Sequence, residues 1–286
     1  MNKKLSRRQF NQSLMQVSAL GLASSMPAIS HSRWDLNWFN DEDTHNERWL
    51  SAQGREAKDY SLGWINPQEP SSAQALAKFR GHGLCQNPIT TDQVLMFSRR
   101  PGTHGMRLNI RTGLIDGTFQ SQADRYMQGH GCYSADGKWI YCTESSISTG
   151  EGKITVRDAK TLKQVNEFNS YGIGPHEIKL MPDGYTLVVA NGGLLTHPDS
   201  GREVLNLDTM RSSLTYIDSR TGTLSSEHFL TEKKASIRHL DVAADGTVAI
   251  ALQVQRAAMN NNELVSLAAI HKPNQSLTVL NAPEAL

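Results

Sequence analysis

Short apolar runs recur along the chain at nearly even intervals. Val94-Leu95-Met96-Phe97, Trp139-Ile140-Tyr141, Thr186 to Ala190 and Val248-Ala249-Ile250-Ala251 are each too short for a helix. They carry the β-branched and aromatic residues that suit a buried strand. A turn signal precedes three of them: Asp136-Gly137, Pro182-Asp183-Gly184 and Asp245-Gly246. Proline presets φ there and glycine accepts a positive φ. Ahead of each turn is a second short strand headed by a histidine. These read Gly81-His82-Gly83-Leu84-Cys85, Gly129-His130-Gly131-Cys132-Tyr133, His176-Glu177-Ile178-Lys179-Leu180 and Arg238-His239-Leu240-Asp241-Val242. Helical periodicity is nearly absent.

A further turn follows each hairpin: Asn109-Ile110-Arg111-Thr112-Gly113, Asp158-Ala159-Lys160-Thr161-Leu162 and Asp218-Ser219-Arg220-Thr221-Gly222. The last separates two strands, Leu214 to Ile217 and Leu224 to Phe229. One unit is therefore four strands, and the histidines that open successive units are 48, 46 and 63 residues apart. The longest interval contains an insertion, Leu194 to Met210. Four strands in about 45 residues is the signature of a β-propeller blade. Residues 48–80 read as an incomplete blade with strands at Trp49 to Gln53, Tyr60 to Ile65 and Ala73 to Phe79. The expectation is an all-β propeller with four full repeats and a partial one over residues 48–286. Such a count leaves open strand edges, so a C-terminally shortened chain is also expected.

The N-terminal residues read as an address. Ser6-Arg7-Arg8-Gln9-Phe10 follows Lys3 and Lys4 and precedes a mildly apolar stretch, Leu14 to Met26. This is the order of a twin-arginine signal over residues 1–30, too short and polar for a membrane span. Residues 31–47 read as a linker. Periplasmic delivery is expected, by a route that carries folded proteins, often with a cofactor or metal already inserted. The signal holds four of the 29 basic residues and none of the 28 acidic ones. Its removal leaves a net charge of about −3, with no basic face to suit nucleic acid. Of the three cysteines, Cys132 and Cys142 flank the Asp136-Gly137 turn. A three-residue loop would pair them for a disulfide and a two-residue turn would put them out of register.

Several stretches together carry a family resemblance. Gly-Ile-Gly-Pro-His-Glu (172–177), Val-Val-Ala-Asn-Gly-Gly (188–193), Leu-Asn-Leu-Asp-Thr-Met (205–210), Ser-Ile-Arg-His-Leu (236–240), Arg-Gly-His-Gly (80–83) and Arg-Arg-Pro-Gly-Thr (99–103) resemble the domain of unknown function 1513 family. The resemblance covers about residues 48–286. It implies an exported bacterial propeller related to quinoprotein and YVTN-type propellers, of about seven blades when intact. It also implies gene neighbours of imelysin-like and di-haem peroxidase-like type, in clusters linked to iron supply, and so possible partners of those types.

The histidines carry the candidate chemistry. His82, His130, His176 and His239 occupy one blade position, where innermost strands surround a mouth of the central channel. Neutral imidazoles gathered there suit iron, copper, nickel or zinc. Glu177 adds an oxygen ligand, and His197 and Asp208 of the insertion are further candidates that fold over the same mouth. The alternative role is a histidine that ties a loop to its blade by a hydrogen bond. The six or seven residues between each histidine and its turn favour the channel. Widely spaced ligands name no particular metal. No nucleophile elbow, Walker loop or C-x-x-C-H haem site is found. Two functions remain. One is a periplasmic binding or scaffold protein linked to iron or other metal acquisition. The other is a propeller enzyme of lactonase-like or quinoprotein-dehydrogenase-like type.

Overall fold

The apolar runs pair into sheets, one sheet per sequence repeat. The computed structural model describes residues 48–66, 72–201, 203–232, 234–255 and 267–280, all within the unit Asn46–Leu286. The expected signal (1–30) and linker (31–47) lie outside the described residues. The first sheet is β1 (Trp49–Gln53), β2 (Ser61–Ile65) and β3 (Ser72–Leu76). The second is β4 (Gly81–Gln86), β5 (Gln93–Ser98), β6 (His104–Asn109) and β7 (Leu114–Gln120). The third is β8 (Arg125–Tyr133), β9 (Trp139–Ser146), β10 (Glu151–Asp158) and β11 (Gln164–Ile173). The fourth is β12 (Pro175–Leu180), β13 (Thr186–Asn191), β14 (Ser213–Asp218) and β15 (Leu224–Phe229). The fifth is β16 (Ala235–Val242), β17 (Val248–Val254), β18 (Ala268–His271) and β19 (Thr278–Val279). Each is an antiparallel meander in chain order, the blade of a β-propeller. Among the described residues, no helix is long and apolar enough to cross a membrane.

The turns form as their residues dictate. Asp183 Oδ1 accepts from the backbone N–H groups of Tyr185 (2.9 Å) and Thr186 (2.8 Å), and Gly184 takes φ 79°. Asn109, Asp158 and Asp218 each accept from backbone N–H groups two or three residues on. Directly after Thr112 and Thr221 stand Gly113 and Gly222, with φ near 73°; the remaining copy places Leu162 after Thr161 at φ 61°. Leu162 is tolerated because its side chain is buried in the core between the second and third blades.

Stacking explains the unbroken apolar runs. Leu95 and Phe97 of β5 pack towards the third blade, whereas Val94 and Met96 pack towards the first. Likewise Leu187 and Val189 of β13 join the third blade, and Val188 and Ala190 the fifth. Successive residues point to opposite faces and both faces are covered. Full burial of each large side chain contributes about 1.5–3 kcal/mol.

The possible Cys132–Cys142 bridge does not form, and all three cysteines are free. The register pairs Cys132 with Tyr141 and Gly131 with Cys142, so the two thiols point to opposite faces and sit in different cores. Two histidine strands also begin earlier than expected. β8 starts five residues before His130 and β16 four before His239, because residues on both sides of the histidine pair with the neighbouring strand.

Candidate metal centre

Each of the four histidines lies at or beside a break in register between the innermost strand of its blade and the next. His82 and Gly83 lie between the pairs Gly81–Ser98 and Leu84–Met96. In β8, Gln128, Gly129 and His130 lie between Met127–Glu144 and Gly131–Cys142, opposite Thr143 alone. His176 is the extra residue between Pro175–Asn191 and Glu177–Ala190, and Arg238 the extra one between Ile237–Leu252 and His239–Ala251. A bulge interrupts the strict alternation of side chains. It lets Arg238 and His239, adjacent in sequence, line the same cavity.

The bulges aim the four rings at one point. Ring centroids are 4.8 Å apart for His82–His130 and His130–His176, 5.0 Å for His176–His239, and 6.4 Å for the widest pair, His82–His239. One potential ligand atom from each of His82, His130 and His176 lies within 4.8 Å of the others. A second set, His130, Glu177 and His239, satisfies the same condition and shares His130. Metal–nitrogen bonds of about 2.1 Å hold ligands no more than about 4.2 Å apart. The rings therefore draw inward slightly around an ion.

Two buried nitrogens test the fit. His130 Nε2 and His176 Nδ1 are buried and, among the described residues, have no hydrogen-bond partner. A buried polar atom left bare costs about 1–3 kcal/mol. The same atom is satisfied by an ion. Burial holds the imidazoles in the form that ligates. Burial first, then the Arg99 charge, lowers the pKa of His82 to about 4. Burial lowers that of His130 to about 3, outweighing the opposing Glu177 carboxylate. Burial also holds His176 well below the usual histidine range. All three are neutral at pH 7, with a lone pair available.

Glu177 orients the set. Its Oε2 accepts from His239 Nδ1 at 2.8 Å and from the Leu240 N–H at 3.2 Å, and its Oε1 is 3.7 Å from His130 Nδ1. Burial alone would raise this carboxyl's pKa, but the His239 hydrogen bond and the nearby bases outweigh it and hold it below the usual range. An ionised carboxylate only accepts, so His239 Nδ1 carries a proton, which leaves Nε2 as the nitrogen that could face an ion. This is the carboxylate–histidine arrangement that supports metal ligands.

The other candidates lie apart. His197 Nδ1 accepts from the Asp199 N–H at 3.2 Å, capping a short 3-10 turn at Pro198–Ser200. Asp208 is exposed and reaches Lys234 Nζ at 3.5 Å. The insertion instead contributes Leu194 and Val204 to the wall of a cavity of about 460 Å³, onto which His82, His176 and His239 open. Three residues that the histidine pattern did not reveal also line it: Arg99, Arg100 and Arg238. Their signal was present as the Arg-Arg pair of the β5–β6 turn and as the residue before His239. Arg238 is 8% exposed, and burial followed by the Arg100 charge lowers its pKa to about 9.

Glycines make room for the rings. A Cβ on Gly83 would collide with the Gly129 carbonyl oxygen, and one on Gly129 (φ 108°) would lie 2.6 Å from His82 Cδ2. Gly129→Ala should therefore displace His82 and strain the backbone by about 1–2 kcal/mol. The checks are a thermal melt and a metal titration of the variant. An unchanged metal affinity would show that His82 is not held by this contact.

Fold and site together define the class: a β-propeller whose innermost strands gather four imidazoles and a carboxylate at one point. The chain belongs to the family described as protein of unknown function DUF1513, whose model matches residues 75–286. Among solved structures, it resembles Kuenenia stuttgartiensis hydrazine synthase with a TM-score of 0.58 at 15% identity, over 74% of this chain and 57% of that one. The chain thus spans a little over half of that structure's length, and the likeness is one of fold. The comparison with curated proteins finds no match.

Proposed function

We propose that this propeller binds a transition-metal ion at the histidine cluster and serves in the periplasm as a binding or scaffold protein for metal acquisition. The carrying observation is that ligand atoms of His82, His130 and His176 lie within 4.8 Å of one another. The bare, buried nitrogens of His130 and His176 support it. Imidazole donors suit iron, copper, nickel and zinc alike. Iron is favoured by the gene neighbourhoods that go with the family resemblance, which also suggest imelysin-like or di-haem peroxidase-like partners. Metal analysis of the purified full chain, followed by titration of the chelated protein with Fe(II), Cu(II), Ni(II) and Zn(II), tests this reading. One equivalent bound by the wild type is expected; no binding of any of the four rejects it.

The open cavity supports a second reading. Three histidines with a free position facing a pocket is the arrangement that activates a metal-bound water in hydrolytic enzymes. Turnover of lactones by the metal-loaded protein, lost on chelation, would favour this lactonase-like role.

The periplasmic setting rests on the arginine pair. Arg7→Lys together with Arg8→Lys should retain the precursor in the cytoplasm, read by fractionation. Unchanged delivery of the double variant would remove the export claim.

A further inference from the structure

The cavity beside the histidines is lined by basic side chains, of which Arg238 has no counter-charge among the described residues. The cavity presents Arg99 and Arg100 from the second blade and Arg238 from the fifth, together with three histidines and three glutamines, and among the described residues no carboxylate lines it. Arg238 is the most informative. Its Nε donates to Gln253 Oε1 at 2.8 Å. Among the described residues, no carboxylate lies within ion-pair distance of it, although it is 8% exposed. A buried guanidinium normally has an anion against it, because taking the charge out of water is costly without one. One glutamine side chain adds a hydrogen-bond donor. Gln255 Nε2 is a buried donor with no partner among the described residues.

A metal ion at the histidines would sharpen this imbalance, since Glu177 is the one carboxylate in the two ligand sets. A cation next to Arg238 raises the local positive charge in a partly desolvated space, where Coulomb interactions are stronger than in water. An anion in the cavity relieves it. Guanidinium groups present parallel N–H donors that match the two oxygens of a carboxylate. The volume of about 460 Å³ accommodates a small organic acid.

We infer that the cavity is a binding site for a small carboxylate anion, held by Arg238 and Arg99 next to the histidine cluster and able to complete the coordination of an ion bound there. Its second part rests on the proposed metal site. The anion site itself does not.

Calorimetric titration of the full chain with malonate and with succinate, in metal-free and Co(II)-loaded forms, tests this. At least one acid should bind both forms, and more tightly with metal present. Arg238→Gln and Arg99→Gln should each weaken it by about tenfold or more. Arg99 lies on the β5–β6 turn, so its variant decides the matter if Arg238→Gln fails to fold. Binding of Co(II) with no binding of either acid overturns the inference and leaves the metal site standing. Arginine-dependent acid binding in a protein that takes up no Co(II) does the reverse. Acid binding unaffected by the arginine substitutions also overturns it.

Discussion

His130→Ala abolishes metal binding and leaves the fold intact: this is the expected result with the largest functional effect. His130 belongs to both ligand sets, so its loss cannot be made good by a shift from one set to the other. Substitution of groups that merely orient ligands typically weakens affinity about 10–100-fold, so loss of a shared ligand should exceed 100-fold. The fold should not suffer comparably. The His130 backbone stays bonded to Thr143 Oγ1, whereas its side-chain Nε2 has no partner to lose. His176→Ala should behave alike, since its Nδ1 is also bare. A fall in melting temperature without loss of metal would mark both residues as structural instead.

The same centre has a defined pH dependence. His82 and His130 have pKa values lowered to about 4 and about 3, so metal occupancy should hold from pH 8 to about 5 and fall only below that. In the metal-free protein the sign follows from proton linkage. The unfolded chain binds protons on these histidines below about pH 6.5, while the folded chain refuses them until its own lower pKa values. Stability of the metal-free form should therefore decline as pH falls from about 6.5 towards 4. Melting temperatures across this range, with and without metal, read it directly.

Arg157→Met should be the most destabilising single change outside the site. Arg157 Nη2 lies 3.3 Å from Glu144 Oε1, and the two side chains are 3% and 0% exposed. Thr155 Oγ1 donates to the same carboxylate oxygen at 2.9 Å, and Arg157 also donates to the Gln120 carbonyl. Burial pushes the Glu144 pKa up against the opposing pull of Arg157. Removing the guanidinium leaves a buried acid without its counter-charge, which costs about 3–5 kcal/mol. Replacing both partners by apolar residues avoids that penalty, so Arg157→Met with Glu144→Leu should recover much of the loss. A denaturant-unfolding cycle on the single and double variants measures the coupling. Equal destabilisation by the double and single variants would show that this pair is not what supports the third blade.

Much of the architecture was legible in the chain because a blade is written locally. The strand at Leu224–Phe229 and the turn at Pro182-Asp183-Gly184 follow from residues within one repeat. The run Leu187-Val188-Val189-Ala190 signals a strand covered on both faces, and the two faces join different blades. Four histidines at one repeat position indicated a common site by the same logic, since equivalent positions on neighbouring inner strands come together. What stayed hidden depends on register and on residues from separate blades. The two sides of the Asp136-Gly137 turn were compatible with two pairings, and only the observed ladder sets Cys132 and Cys142 on opposite faces. The bulges that bring Arg238 to the same cavity as His239 have no local signature, because a bulge is a mismatch between two strands. Arg99 and Arg238 are 139 positions apart, and their meeting with the histidines is a product of blade stacking. The sequence by itself determined strands, turns and repeat. The tertiary structure decided which charges share a space, because charge acts across distances between blades that no local pattern records.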